Sequence, residues 1–232
     1  MGYGMIVSIH QPEHLPWLGF FHKMIMSDVF VLLDNVQYRK NYFQNRNRIR
    51  TKDGFVWLTV PVVSKGRSDQ TIREVKIDNS RRWAQKHWKS ICFNYSGSEY
   101  FGSFSGILSE IYKRPWESLS ELNIEIIRKI SGAVGIKSEM MVSSEMGVSG
   151  KSTDLLLDIC KKLDADTYLS GRFGIEYLDE SKFKKSGVAV KYHEFEHPEY
   201  KQVFEPFVPN MSAIDLIFNC GEKSLTILSK RI

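Results

Sequence analysis

The 232-residue sequence predicts an α/β protein: a Rossmann-like, mostly parallel sheet that begins with a βαβ unit and carries an inserted helical block. Three observations lead there. Met5–Ile9 and Val29–Leu33 are short apolar runs of the kind a parallel sheet buries on both faces. Between them Trp17–Met26 spaces its apolar residues as a helix does, so strand, helix and strand follow within about thirty residues, the length of a right-handed crossover. Residues from about 80 to 131 then read as helix upon helix, an insertion within one α/β domain spanning 1–232.

The elements follow in order. His10-Gln11-Pro12 ends the first strand, because proline cannot extend a central strand, and Asp34 closes the second. Asp53-Gly54 supplies a turn before Phe55–Val63, a further strand candidate. Ser64–Gln70 is polar and loop-like, and Ile72–Ile77 is expected as a short edge strand. Trp83, His87, Trp88 and Ile91 fall on one side of an amphipathic helix, and Ile107–Tyr112 and Leu119–Ile130 continue the pattern around Arg114-Pro115. A return strand is expected within Gly135–Ser144. Ser152-Thr153 caps a helix carrying Leu155, Leu156, Ile159 and Leu163. Thr167–Leu169 is a brief strand, Tyr177–Phe183 a short helix and Val188–Tyr192 a last strand. Ser212 caps a final helix through Phe218, which Asn219-Cys220-Gly221 terminates.

Composition narrows the function. No apolar run approaches the eighteen or so residues of a membrane span, and Met1–Met5 shows no signal-peptide pattern, so a cytoplasmic protein without membrane insertion is expected. Cys92, Cys160 and Cys220 are too widely spaced for a disulfide framework or a CxxC knuckle, and no metal site is expected. Walker A, GxGxxG and GxSxG motifs are absent. Net charge is +5, and much of the excess falls in Arg39–Lys52, where arginines alternate with Asn41, Gln44, Asn45 and Asn47. Single-stranded nucleic acid, a nucleotide diphosphate or an acidic protein would each suit such a patch, and the amide–guanidinium mixture favours a hydroxylated ligand bearing phosphates; the alternative is a solvated basic edge.

In open α/β sheets ligands bind beyond the carboxyl ends of the strands. His10 and Gln11 follow the first strand, and Asp34, Asn35 and Gln37 the second, so His10 is the leading catalytic candidate. Asp34 is read either as orienting that imidazole or as a turn-forming residue. His197, in a proline-bounded loop with Tyr200, is a second candidate; His14, His22, His87 and His193 are read as structural. Gly171 and Gly174 flank Arg172-Phe173, read either as a close approach to a ligand or as a tight turn. Cys220, near a helix carboxyl end, is a poor thiolate.

Several stretches together resemble the WbqC-like family. They are Ile9–Phe21 (I-H-Q-P-E-H-L-P-W-L-G-F-F), Asp28–Lys40, Gln44–Ile49 (Q-N-R-N-R-I), Leu58–Val62, Tyr168–Gly171, Tyr177–Asp179, His197–Tyr200 (H-P-E-Y) and Ser212–Gly221. The resemblance implies a setting in O-antigen and related surface-polysaccharide biosynthesis, and N-acyl transfer of a glycyl or other aminoacyl group onto a nucleotide-linked amino sugar. No bound cofactor is implied; the co-substrate is an activated donor: a carrier-protein thioester, a coenzyme A thioester or an aminoacyl-tRNA. On that reading His10 is the general base, with Gln11, Asp34 and His197 beside it. Gln11, Asn45 or backbone N–H groups near Gly171 serve the oxyanion, Arg46 and Arg48 hold the diphosphate, and Asp34 or Gln37 reads sugar or ribose hydroxyls. Trp17, Tyr38 and Tyr177 stack on base or sugar, and Ser170 and Tyr200 complete the binding set. Such a site requires His10 and Arg46 to share one cleft. Two other readings remain: an ATP-dependent ligase or nucleotidyltransferase-like enzyme on the same fold, and a non-catalytic partner of a carrier protein or nucleic acid.

Overall fold

The computed structural model describes residues 4–230 apart from Lys65 and Ser68. The reading of Met1–Tyr3 as free of a targeting signal lies outside the described residues, as do those two positions of the 64–70 loop. The chain begins with β1 (Ile6–His10), α1 (Leu18–Ile25) and β2 (Val29–Leu32). A ribbon of β3 (Arg46–Thr51) and β4 (Gly54–Thr59) precedes three helices, α2 (Trp83–Tyr95), α3 (Phe101–Lys113) and α4 (Leu119–Val134). Next come β5 (Glu139–Val142), α5 (Thr153–Lys162), β6 (Thr167–Ser170), α6 (Glu180–Lys185) and β7 (Ala189–Tyr192). The chain closes with α7 (Ala213–Cys220) and α8 (Ser224–Leu228).

Five strands form one parallel sheet in the order β5-β2-β1-β6-β7. Strands are added first on one side of β1 and then on the other, which is the Rossmann order, and the direction reverses between β1 and β6. Alternation along β2 explains the layers. Phe30 and Leu32 join Phe20, Phe21 and Met24 of α1, the helical block and α7 in one core, while Val29 and Val31 join Val7, Ile9, Ile159 and Phe183 in the other. The expected α/β sheet and its helical block are therefore both present. Local chemistry sets the helix ends: Ser118 accepts the Glu121 N–H at the start of α4, and Gly135 ends it at φ 84°.

Two strand expectations are corrected. The β4 strand stops at Thr59, before Pro61, and pairs antiparallel with β3 outside the main sheet, so half of the basic segment is itself a strand. Residues 72–77 contain a 3-10 turn, Ile72–Glu74, because Thr71 and Glu74 close a capping box there.

One buried side chain supplies several of the contacts that moor the ribbon. Arg50 is 1% exposed and its guanidinium donates to Gln202 Oε1 (3.2 Å), to the carbonyls of Gly54 (2.9 Å), Phe204 (3.3 Å) and Pro206 (2.7 Å), and to Thr51 O. Next to it, buried Asp215 accepts from Tyr95, Tyr200 and Gln202, each at 2.8 Å. Both Asp215 carboxylate oxygens and Gln202 Oε1 thus accept hydrogen bonds, as burial of charge requires.

Candidate active site at the carboxyl edge of the sheet

The direction of strand addition reverses between β1 and β6, so their carboxyl ends are the position at which open α/β sheets place a ligand crevice. His10 ends β1 and Ser170 ends β6. His193 follows β7, and its N–H donates to Ser170 O at 2.8 Å. From α1 come His22 and Lys23, both buried, on a helix whose residues Leu18–Met24 are all enclosed. Fold topology alone thus collects four titratable side chains, and the loop after β1 adds Glu13.

His10 Nδ1 lies 3.0 Å from Gln11 O. Facing a carbonyl, that nitrogen carries the proton, which leaves the Nε2 lone pair as the acceptor. Phe20 meets the imidazole edge-on at 4.9 Å and fixes its orientation. Burial and the charge of Lys23 hold His10 down to about 3, so it is neutral at physiological pH. His22 Nδ1 and His193 Nε2 are 2.6 Å apart and share a proton between two neutral rings; burial, then His22 and Lys23, lowers His193 to about 3.

Lys23 is 2% exposed, and its Nζ donates to Ile9 O at 2.9 Å. Burial lowers it to about 7 against the pull of Glu13. Glu13 is 3% exposed, and burial raises it to about 8 against the pull of Lys23. Among the described residues no salt bridge joins the two, and Glu13 Oε2 is buried with no hydrogen-bond partner. A buried carboxyl raised and a buried amine lowered, each against the pull of the other, make the kind of opposed titratable pair found in acid–base sites. Phe195 lies 5.3 Å from His22 and 5.6 Å from Trp17, placing the indole at the rim.

The other sequence candidates fall into two groups. Gln11 Oε1 accepts from Gln44 Nε2 at 2.6 Å, and Phe43 O accepts the His14 N–H at 2.9 Å, so the loop after β1 and the segment before β3 are in contact. Yet His10 and Arg46 have different neighbours: the imidazole faces Phe20, Lys23 and His193, while the guanidinium lies 4.5 Å from the Trp57 ring. Arg48 lies 4.7 Å from Phe55 and donates to Asn210 O. Asn45 donates to Val60 O, and Gln37 bridges to Thr71. Tyr38 is buried, its phenol pushed up to about 12 by that burial. Ser170 and Gly171 stand at the crevice, and Gly174 is required there because a Cβ would sit 2.1 Å from Ser170 Oγ. Tyr177 is exposed.

Asp34, His197 and Tyr200 are engaged elsewhere. The Asp34 carboxylate accepts from Ser143 Oγ, Ser144 N and Ser144 Oγ at 2.8–3.0 Å, which fastens the turn after β5 and leaves His10 unoriented by it. His197 Nδ1 donates to Pro198 O, and its Nε2 accepts the Asn210 N–H, so both ring nitrogens serve the loop. Tyr200 belongs to the Asp215 network. Sequence reading missed Glu13 and Lys23 and set aside His22 and His193. In sequence Gly19, His22 and Lys23 fall on one side of α1 and read as its solvent face; only the packing that buries all of Leu18–Met24 brings them inside.

These features define a Rossmann-like α/β protein with a buried acid–base cluster at the switch point of its sheet. The family model of the WbqC-like protein family matches residues 11–227, and the chain belongs to that family. It is 35% identical over 220 residues to the uncharacterized protein Rv1507c of Mycobacterium tuberculosis (strain ATCC 25618 / H37Rv), a match covering 94% of this chain and 95% of that protein. Among the described residues no helix is long and apolar enough to cross a membrane.

Proposed function

We propose that the protein is an enzyme that forms an amide on a nucleotide-linked amino sugar by N-acyl transfer from an activated ester or thioester, in the assembly of a surface polysaccharide. The observation that carries this reading is the neutral His10 imidazole, with its Nε2 lone pair available, beside Lys23 and His193 at the switch point. The acceptor's amine loses a proton to His10 as its nitrogen bonds the acyl carbon. The bond from that carbon to sulfur or oxygen then breaks, and the proton held on His10 passes to the leaving group. Direct transfer is favoured over an acyl-enzyme because no cysteine is an activated thiolate: burial raises Cys160 to about 12 and Cys220 to about 11, and raises Cys92 as well.

The test is incubation of the purified protein with nucleotide-linked amino sugars and carrier-protein, coenzyme A and aminoacyl-tRNA donors, with mass spectrometry of the sugar. The expected product has the mass of the amide and forms without ATP. A product that requires ATP and releases AMP or pyrophosphate would establish a ligase instead.

A further inference from the structure

The second concentration of unusual chemistry lies on the β3–β4 ribbon. Strand alternation sets Arg46 and Arg48 on the same face as Trp57, which is paired with Arg48, and Phe55, which is paired with Arg50. Residues 38–60 contain six basic side chains and one acidic, an excess equal to the net +5 of the whole chain. The guanidinium of Arg46 lies over the Trp57 ring at 4.5 Å, that of Arg48 over Phe55 at 4.7 Å, and that of Arg39 over Tyr42 at 4.9 Å. These rings are not core residues: Tyr42 and Trp57 are each 38% exposed and Phe55 44%. Among the described residues none of the three arginines is in a salt bridge. The Arg48 Nε is buried and has no hydrogen-bond acceptor.

Exposed rings backed by cations with no carboxylate partner form a surface on which flat, anionic ligands stack. We propose that this face of the ribbon binds single-stranded nucleic acid, with bases stacked on Trp57, Phe55 and Tyr42 and phosphates held by Arg46, Arg48 and Arg39. An acidic protein surface would use the same charges but would leave the three rings without a stacking partner, and a duplex hides its base faces; the exposed rings favour a single strand. The inference does not depend on acyl transfer at the sheet edge, because binding is read without turnover.

Fluorescence anisotropy with a labelled single-stranded RNA of about a dozen nucleotides tests it, since strand binding of this kind is salt-dependent. The expected result is binding at low salt that weakens with a log–log slope of roughly −2, as for about three neutralised phosphates on a single strand. The double variant Phe55→Ala/Trp57→Ala, unchanged in net charge, is expected to bind at least about tenfold more weakly, as the loss of base stacking predicts. Arg46→Gln supplies a second variant that leaves the rings in place and should lower the magnitude of the salt slope by about 0.7. Absence of binding would overturn the proposal. So would ring variants that bind as tightly as the unmodified chain, a duplex that binds equally well, or polyglutamate that displaces the RNA at equal charge.

Discussion

At the scale of single residues, the site turns on two basic groups that burial has made weakly basic. Replacement of His10 by Asn keeps a side chain of similar size at the rim and removes the proton acceptor; turnover is expected to fall by at least about a hundredfold with the thermal midpoint little changed. Unchanged turnover in that variant would move the base elsewhere. Lys23 governs the pH dependence. While it is protonated its charge disfavours a proton on His10, and that opposition ends as Lys23 titrates near 7. Turnover at low substrate concentration should therefore rise with pH through about 7, and Lys23→Met, which fills the same apolar space, should abolish that limb. A rising limb that survives in Lys23→Met would exclude this role. The same substitution removes a buried charge held by one carbonyl, so resistance to urea should not decrease.

At the scale of elements, the start of α1 depends on a glycine whose neighbours leave no room for a methyl group. A Cβ at Gly19 would sit 2.2 Å from the Trp17 ring and 2.9 Å from Phe195. Alanine is the better helix former by about 1 kcal/mol, yet displacing two packed rings costs about 1–3 kcal/mol, so Gly19→Ala should lower stability and change tryptophan emission. Equal midpoints for the two proteins in urea would contradict this packing. Elements were legible in the sequence where periodicity was clean: the βαβ opening, the helical block, and the Ser212 cap. They were not legible where side chains set pairing. Arg46–Thr51 alternates charge with Asn and Ile, which reads as a basic loop until β4 is seen to cover it. The site divided along the same line. His10, Gln11 and Ser170 sit at strand ends, which sequence locates, whereas Glu13, Lys23 and His193 are joined only by the way α1 and β7 pack against β1.

At the scale of the molecule, buried histidines dominate the response to acid. His10, His14 and His193 are held at about 3 and His87 at about 4, each chiefly by burial. The sign follows from linkage: a histidine with a lowered folded value binds a proton in the unfolded chain first, so its stabilisation is present above about 6.5 and is lost as pH falls toward 3–4. Glu13, raised to about 8, acts oppositely between about 4.5 and 8, and Asp215, also raised by burial, acts the same way, but these are two groups against four, with His22 and His197 lowered by burial besides. Stability should accordingly fall between pH 6.5 and 4 by about 1.4 kcal/mol per pH unit for each net proton gained on unfolding, read from urea midpoints. A midpoint that does not move across that range would contradict the buried neutral histidines.

Arg50 has a consequence for how the protein is made. Its acceptors include residues 202, 204 and 206, which leave the ribosome long after the ribbon does. Until those acceptors arrive, the Arg50 guanidinium has only Thr51 O and Gly54 O of its own hairpin, and water, to satisfy it. The hairpin that carries the exposed arginines and rings must then wait, in a nascent chain, until residues 202–206 have been made before its buried cation is fully held.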